Sequence, residues 1–357
     1  MKIALLLSGG VDSSVALNLI CNEGRHDVTA FYLKVWLEDE LAFLGDCPWE
    51  EDLKYARAVC EQAGVPLRIV PLQAEYLDRV VSHTVSELRA GRTPSPDIVC
   101  NRQIKFGEFA ARVDDSFHKL ASGHYAQIEE ANDTCYLKRA PDPVKDQTYF
   151  LSGLSQTQLK RARFPVGHLT KQQVRKYARD FDLPNRDRRD SQGICFLGKI
   201  SYPDFVRAHL GERPGDIVDV ETGARLGRHR GYWFYTIGQR EGLGLAAGPW
   251  YVVRKDTRDN IIHVSHKRRR AERALSRFTV SSPHWISGLP DLHDLHVKIR
   301  HGPRLVPCRI ESGGNTGLNV QMAEADPGVA PGQSAVFYDG DICLGGGVIS
   351  QAHFSTS

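Results

Sequence analysis

Two thiols in charged surroundings and one phosphate-type loop carry the chemistry that can be read from this chain. Cys100 closes the string Gly91-Arg92-Thr93-Pro94-Ser95-Pro96-Asp97-Ile98-Val99-Cys100-Asn101-Arg102. Two prolines stiffen the loop ahead of a carboxylate, and the thiol follows three residues later. Arg102 and Lys105 favour the thiolate, so a proton shuttle and a sulfur nucleophile share one rigid segment. Cys195 lies in Arg188-Arg189-Asp190-Ser191-Gln192-Gly193-Ile194-Cys195-Phe196, after a glycine turn and a cluster of arginines. For each thiol a structural loop is the competing reading. The third element is Ser8-Gly9-Gly10-Val11-Asp12-Ser13-Ser14, which follows an apolar run and opens a helical pattern. Its glycines let backbone N–H groups curl around an anion, and the helix N-terminus adds partial positive charge. Beside a phosphate, Asp12 makes sense chiefly as a Mg²⁺ ligand. The Walker Gly-Lys-Ser/Thr element is missing, and so is the dinucleotide GxGxxG. Ser-Gly-Gly alone reads equally as a capped turn; the full string after a strand argues for a phosphate site.

These groups need a scaffold, and the pattern supplies one. Residues 2–7 read as a buried strand, 13–23 as a helix, Asp27–Trp36 as a strand, Glu50–Ala63 as a helix, Leu67–Leu72 as a strand and Leu77–Leu88 as a helix. This alternation implies an α/β fold, a Rossmann-like parallel sheet with helices on its faces, running to about residue 200. Beyond residue 210, short apolar runs such as Trp250–Arg254, Val297–Ile299, Ala335–Tyr338 and Gly347–Ser350 alternate with Gly-rich turns, as in small all-β modules. The expected organisation is therefore an α/β catalytic domain over 1–200, a small β-rich connector over 201–273 and a C-terminal β-barrel over 274–357.

Composition bounds the rest. With 357 residues, 41% apolar and 25% charged, the chain is neither disordered, collagen-like nor a coiled coil. Forty-six Lys+Arg against 43 Asp+Glu leave only +3, so the global charge names no partner. A nucleic-acid surface would have to be local. Residues 160–190 hold ten basic against four acidic side chains, and Arg254–Arg277 hold nine against three, including Lys267-Arg268-Arg269-Arg270. A solvated face competes with an RNA face for both runs. No apolar stretch is long enough to span a bilayer. The opening Met1–Leu7 imitates a signal peptide but ends too early, so a cytoplasmic location without membrane attachment is expected. Eight scattered cysteines with no CxxC pair argue against a structural metal or a disulfide framework.

The loop at Ser8–Ser14 resembles the signature of the PP-loop ATP pyrophosphatases. Taken together and in order, SGGVDSS, Thr93–Arg102, Ser122-Gly123-His124-Tyr125, Lys145-Asp146-Gln147-Thr148-Tyr149-Phe150-Leu151, Asp190–Phe196, Tyr235-Thr236-Ile237-Gly238-Gln239-Arg240 and Gly332-Gln333-Ser334-Ala335-Val336 resemble the bacterial tRNA-specific 2-thiouridylases, the MnmA (TrmU) family, over essentially the whole chain. The resemblance implies a sulfurtransferase that uses ATP and Mg²⁺ to adenylate the 2-oxygen of the wobble uridine in the tRNA anticodon stem-loop. Sulfur then replaces that oxygen, giving 2-thiouridine, AMP and pyrophosphate. It implies ATP at Leu7, Ser8, Gly9, Gly10, Val11, Asp12, Ser13 and Ser14, with Leu33 and Gly123 around adenine and ribose, and Mg²⁺ held through Asp12 and the phosphates. It implies a persulfide on Cys195, with Cys100 as the partner thiol that forms a disulfide with it. Asp97 is the implied general acid/base, and Ser95, Pro96 and Asp97 hold the flipped-out base. His124, Lys145, Asp146, Gln147, Arg300, His301 and Gln333 are the implied tRNA contacts, so the C-terminal barrel touches tRNA. A cysteine desulfurase or sulfur-relay protein would supply the sulfur. No permanently bound metal is expected, an iron–sulfur cluster on the cysteines being the less favoured alternative. The chain departs from the family pattern at Ser95 (usually Asn), Gln103 (usually Glu) and His301 (usually aromatic). Two other readings compete: a PP-loop ligase with a nitrogen nucleophile, which needs no paired thiols, and a non-catalytic RNA-binding protein.

Overall fold

The computed structural model describes residues 1–35, 48–190, 201–269, 271–289, 294–313 and 317–353. The N-terminal strands are β1 (Lys2–Leu6), β2 (Asp27–Lys34), β3 (Leu67–Pro71), β4 (Lys119–Ala121), β5 (Ala126–Ala131), β6 (Thr134–Arg139) and β7 (Ala162–Arg163). Five of them form one parallel sheet in the order β3-β2-β1-β4-β7. Strand β1 is buried on both faces, as a central parallel strand must be once helices cover it. Helices α1 (Val11–Asn22) and α2 (Pro48–Ala63) cover the sheet, and Val15, Leu17, Ile20, Leu53, Ala56 and Val59 lie in the core with Ile3 and Leu5. The chain leaves β1 toward β2 on one side and meets β4 on the other. Ligands of open α/β sheets bind at this kind of switch, outside the carboxyl ends of the strands. Ser8–Ser14 lies beyond β1, and Gly123 lies beyond β4.

Not all of the first 200 residues belong to this sheet. Strands β5 and β6 form an antiparallel hairpin whose turn residues, Asn132 and Asp133, have φ of 51° and 59°. Two positive φ values match the right-handed twist of a two-residue hairpin. Strand β6 pairs with a strand near the C-terminus, so this hairpin extends the C-terminal sheet.

Among the described residues the second half is all β but for one short helix, Tyr202–Leu210, and 3-10 turns. Strands β8 (Gly215–Asp219), β9 (Arg225–His229), β10 (Trp250–Asp256) and β11 (Ile261–His266) make a four-stranded sheet ordered β10-β11-β8-β9. Strands β12 (Leu275–Trp285), β13 (Leu295–Lys298), β14 (Val306–Ser312), β15 (Gly317–Asp326), β16 (Ser334–Asp339) and β17 (Ile342–His353) follow. Their order is β12-β15-β14-β13-β16-β17, and β17 pairs back to β12, which closes a six-stranded barrel. Alternation fills it: in β14 Val306, Cys308 and Ile310 are buried and the residues between them are exposed.

Candidate active site

Leu7 ends the buried run of β1 and hydrogen-bonds through its N–H to the Phe31 carbonyl. The chain then turns at Gly9, with φ +75°, where a side-chain carbon would stand 2.2 Å from the Asp52 carbonyl oxygen. Only glycine fits. Ser13 and Ser14 each donate to the Gly10 carbonyl at 3.0 Å, while Asn185 Nδ2 bonds Gly9 O at 2.8 Å and Ser14 Oγ at 2.9 Å. Arg188 donates to Gly9 O at 3.0 Å and pairs with Asp52 at the start of α2. This arginine, one of the two that precede Cys195 in the sequence, thus ties the phosphate loop to α2. Gly123 packs on the same helix end, since a side-chain carbon there would lie 2.7 Å from Ser13 N. Leu33, near the end of β2, is buried.

Asp12 is held through one oxygen. The Tyr125 hydroxyl (2.8 Å) and the Lys171 ammonium (2.7 Å) both donate to Oδ1. Among the described residues no hydrogen bond reaches Oδ2, and no three His, Cys, Asp or Glu side chains converge as a metal cage. That suits Mg²⁺, which is commonly held by one carboxylate together with nucleotide phosphates. Lys171 also lies 2.7 Å from Asp190 Oδ1, and Asp190 takes Lys145 and Arg175 at 2.6 Å each. Burial alone would raise the Asp190 carboxyl, but the hydrogen bonds and charges of Lys145 and Lys171 outweigh it and hold it at about 2. Neither Tyr125 nor Lys171 was singled out from sequence. A lysine opening a helix against its positive end was the available signal.

The segment from Gly91 to Asp97 runs to a different place. Thr93 N–H bonds the Pro331 carbonyl in the barrel (2.9 Å), and its hydroxyl meets Thr236 of the middle sheet region (3.3 Å). Ser95 precedes a short helix, Pro96–Val99, with Pro96 at its first turn, where the missing N–H costs nothing. Cys100 is buried and opens a widened helical stretch, Cys100–Glu108, with π-type hydrogen bonding. Gln158 Nε2 satisfies the Arg102 and Phe106 carbonyls there, each at 2.9 Å. Such widened turns cluster at functional sites. Asp97 lies in the electrostatic surroundings of His301, which stacks on Phe150 with ring centres 4.6 Å apart. Cys195, the expected partner of Cys100, lies outside the described residues.

The implied tRNA contacts divide into two kinds. Arg300 and Gln333 line an open pocket of roughly 330 Å³ with Thr236, Ile237, Gly238, Asp326 and Gly328. Arg300 pairs with Asp326 yet keeps 47% of its side chain exposed. Gln333 Oε1 is buried with no hydrogen-bond partner among the described residues. The others are committed inward. His124 is buried against Phe106 and Phe164, with Ser122 Oγ 2.7 Å from its Nδ1. Burial, then the Lys105 charge, push its imidazole well below the usual range, so it is neutral. Asp146 pairs with Lys298 of β13 at 2.8 Å, both side chains at 0% exposure. Gln147 is locked to the Tyr125 backbone in both directions at 2.9 Å. Lys145, on Asp190, is half-buried. Much of the basic run over 160–190 is likewise internally paired: Lys160 with Asp133, Arg163 with Glu23, Lys176 with Asp180 and Arg186 with Asp182.

Comparison with known proteins gives this geometry a context. Residues 1–199 match the family model of a tRNA methyl transferase HUP domain, residues 203–266 the PRC-barrel domain of the same family, and residues 275–349 an aminomethyltransferase beta-barrel domain. The tRNA-specific 2-thiouridylase MnmA 1 of Bacteroides thetaiotaomicron is 44% identical over 360 residues, covering 98% of this chain and 100% of that protein. The tRNA-specific 2-thiouridylases MnmA of Parabacteroides distasonis and Porphyromonas gingivalis are 44% and 43% identical, each over 98% of this chain and 99% of their own length.

Proposed function

Since the chain belongs to the tRNA-specific 2-thiouridylase (MnmA) family, we propose that it converts the wobble uridine of tRNA to 2-thiouridine at the expense of ATP. The observation that carries this reading is a division of labour around one α/β sheet. A phosphate loop with a half-open carboxylate stands at the switch point, and a loop with Asp97 and Cys100 is tied to both β-rich regions. Ser8–Ser14 offers backbone donors and a helix N-terminus to the ATP phosphates, with Leu33 and Gly123 toward the nucleoside. Asp12 would hold Mg²⁺ through Oδ2, and the ion supplies charge neutralisation at the phosphates. The uracil 2-oxygen bonds to the α-phosphorus, and the electron pair of the broken bond leaves with pyrophosphate. The uracil N3 proton passes to Asp97. The outer sulfur of a Cys195 persulfide would then attack the uracil C2 and AMP would leave with the C–O electron pair; the Cys100 thiolate would attack Cys195 Sγ, breaking the persulfide S–S bond, so that the outer sulfur stays on C2 with that bond's electron pair and Cys100 and Cys195 are left as a disulfide. Ser95, Pro96 and Asp97 enclose the extruded base, and Arg300, His301 and Gln333 take the flanking RNA.

Three units fit the reading: a catalytic domain over 1–200, a connector over 201–273 and an RNA-contacting barrel over 274–357. A cysteine desulfurase or relay protein supplies the persulfide sulfur, and the reaction runs in the cytoplasm. The test is thiouridine formation with purified sulfur donor, ATP and unmodified tRNA. Cys100→Ser and Cys195→Ser should each reduce thiolation to background, whereas Cys308→Ser, buried in the barrel, should cost only stability. Full thiouridine formation in both active-site variants would refute the persulfide and disulfide roles of the two thiols, whereas ATP-to-AMP turnover by the wild type without any thiouridine would favour a nitrogen nucleophile.

A further inference from the structure

Gln158 is held in place by one half of its amide and holds another helix with the other half. It is the third residue of α3 (Gln156–Arg161). Its Oε1 accepts from Ser155 N–H at 2.9 Å while Ser155 Oγ accepts from Gln158 N–H at 3.3 Å, a reciprocal capping box. A glutamate would cap as well, and would suit the positive helix end better. What only the amide adds is a pair of donors, and both are used. Nε2 reaches the Arg102 and Phe106 carbonyls at 2.9 Å each. Those carbonyls belong to Cys100–Glu108, where the ladder has π-type spacing, and Phe109 N–H returns to the Ile104 carbonyl five residues back. Regular α-helix adjoins this stretch on both sides, over Pro96–Val99 and Phe109–Arg112. So long a widened stretch is rare, and its neighbours enforce it. A side-chain carbon on Gly107 would stand 2.9 Å from Arg102 O, and one on Gly153 would stand 3.3 Å from both Arg102 Cδ and Ile98 Cγ2. Asn101 Nδ2 adds a bond to Phe150 O at 3.0 Å. The segment 150–158 thus clamps the helix that carries Asp97 and Cys100.

We propose that Gln158 is a positioning residue of the reaction, whose amide holds the wide turn open and so fixes the angle at which Asp97 and Cys100 face the target base. The inference rests on the reading of those two residues as the acid/base and the partner thiol. The physical link is winding. An α-helix turns about 100° per residue, whereas a ladder with five-residue spacing turns less. Rewinding Cys100–Glu108 to the regular form would swing Cys100 and Asp97 round the helix axis relative to Phe109, which is fully buried in the core and stays put. Gln158 opposes that motion because one planar amide bridges two carbonyls four residues apart, and rewinding would carry them out of its reach.

Three variants of the full-length protein separate clamp from cap. Gln158→Glu keeps the capping acceptor and sets a carboxylate against two carbonyls, Gln158→Ala removes clamp and cap together, and Ser155→Ala weakens the cap alone. At saturating ATP and tRNA, kcat for thiouridine formation should fall at least ten-fold in both Gln158 variants, since displacing a reacting group by about 1 Å can cost about 10²-fold. KM for tRNA should stay within about two-fold. Ser155→Ala should lower the melting temperature yet keep at least half of the wild-type kcat. A kcat that follows melting temperature across the three variants would overturn the proposal and leave Gln158 a helix cap, and wild-type kcat in Gln158→Glu would overturn it as well. Amide hydrogen exchange reads the clamp without turnover. Exchange across residues 100–109 should quicken at least ten-fold in both Gln158 variants but not in Ser155→Ala, and unchanged exchange in Gln158→Glu would refute the clamp. A wild-type protein that makes no thiouridine would instead refute the reading of Asp97 and Cys100 on which the proposal stands, whatever the exchange shows.

Discussion

The nucleotide end and the barrel junction are organised by opposite means. Around Ser8–Ser14 each charge named above has a partner at hydrogen-bond distance: Asp12 with Lys171, Asp190 with Lys145, Lys171 and Arg175, and Arg188 with Asp52. At the junction of the middle sheet and the barrel, the contacts are close glycine packing, an aromatic stack and incomplete polar pairing. A side-chain carbon on Gly238 would lie 2.9 Å from Gly328 Cα, Gln333 Oε1 has no hydrogen-bond partner among the described residues, and half of the Arg300 side chain faces solvent. The lesson is one of pre-organisation. A small, highly charged ligand suits a site whose dipoles are fixed beforehand. A large polyanion, docking over a broad surface, supplies the missing partners itself.

The sharpest way to break the contrast is to remove the pivot of the nucleotide end. Asp12→Ala should lower ATP consumption by about 10³-fold, as loss of a positioned charge in a reacting site does. Filter-binding affinity for tRNA should remain close to wild type. A parallel collapse of tRNA binding would mean that the two ends are not separate.

Next in size is the one point where the barrel borrows the style of the nucleotide end. Lys298 and Asp146 are a fully buried ion pair between β13 and the turn that carries Lys145 and Gln147. Asp146→Asn alone leaves the buried Lys298 ammonium without its carboxylate, and should cost about 3–5 kcal/mol in denaturant unfolding; Lys298→Met should cost less, because Arg139 Nε stays 3.4 Å from Asp146 Oδ2. The double variant should recover most of that loss, because two neutral groups of similar shape replace two charges. A double variant as unstable as either single one would show that Thr148, which also bonds Asp146 at 2.8 Å, depends on the carboxylate more than Lys298 does.

This contrast also explains what could be read from sequence. Local rules expose the nucleotide end: a strand, two glycines, an acid and two serines in a row mark both the site and the switch point. The β17 and β16 strands were legible from their apolar runs for the same reason. The β5–β6 hairpin was not, although Asn132-Asp133 is a turn signal, because its pairing with β17 joins residues about 200 apart. The inward commitments of His124, Asp146 and Gln147 were hidden too. A polar residue beside a glycine looks alike in sequence whether it faces RNA or a buried lysine. Lys171 escaped because its partners, Asp12 and Asp190, come from two other segments.

A smaller effect tests the open side of the comparison. Arg300→Ala and Gln333→Leu should each weaken tRNA binding by about 1–2 kcal/mol, the scale of one polar contact, and leave ATP binding unchanged. The Arg300 loss should shrink as salt is raised, since a phosphate contact releases counterions, whereas the Gln333 loss should not. Equal salt dependence in both would indicate that the pocket acts only through its overall potential.

The smallest effect belongs to His301, which stacks on Phe150. Burial, outweighing the hydrogen bond to the Asp146 carbonyl, lowers its imidazole below the usual value. A base whose folded value is depressed takes up its proton in the unfolded chain first. Stability is then unaffected at neutral pH and declines as pH falls below about 6.5, until the folded imidazole also protonates. His301→Phe keeps the stack on Phe150 and removes the titration. The variant should therefore match wild type within about 0.5 kcal/mol at pH 8, and its unfolding free energy should fall less steeply between pH 6.5 and 5. Buried His124 titrates in the same direction in both proteins, so the difference between the two curves, not either curve alone, reports His301. Bound tRNA should narrow that difference, because nearby phosphates favour the protonated ring. Identical curves with and without tRNA would place His301 outside the reach of the RNA and leave it a packing residue of the junction.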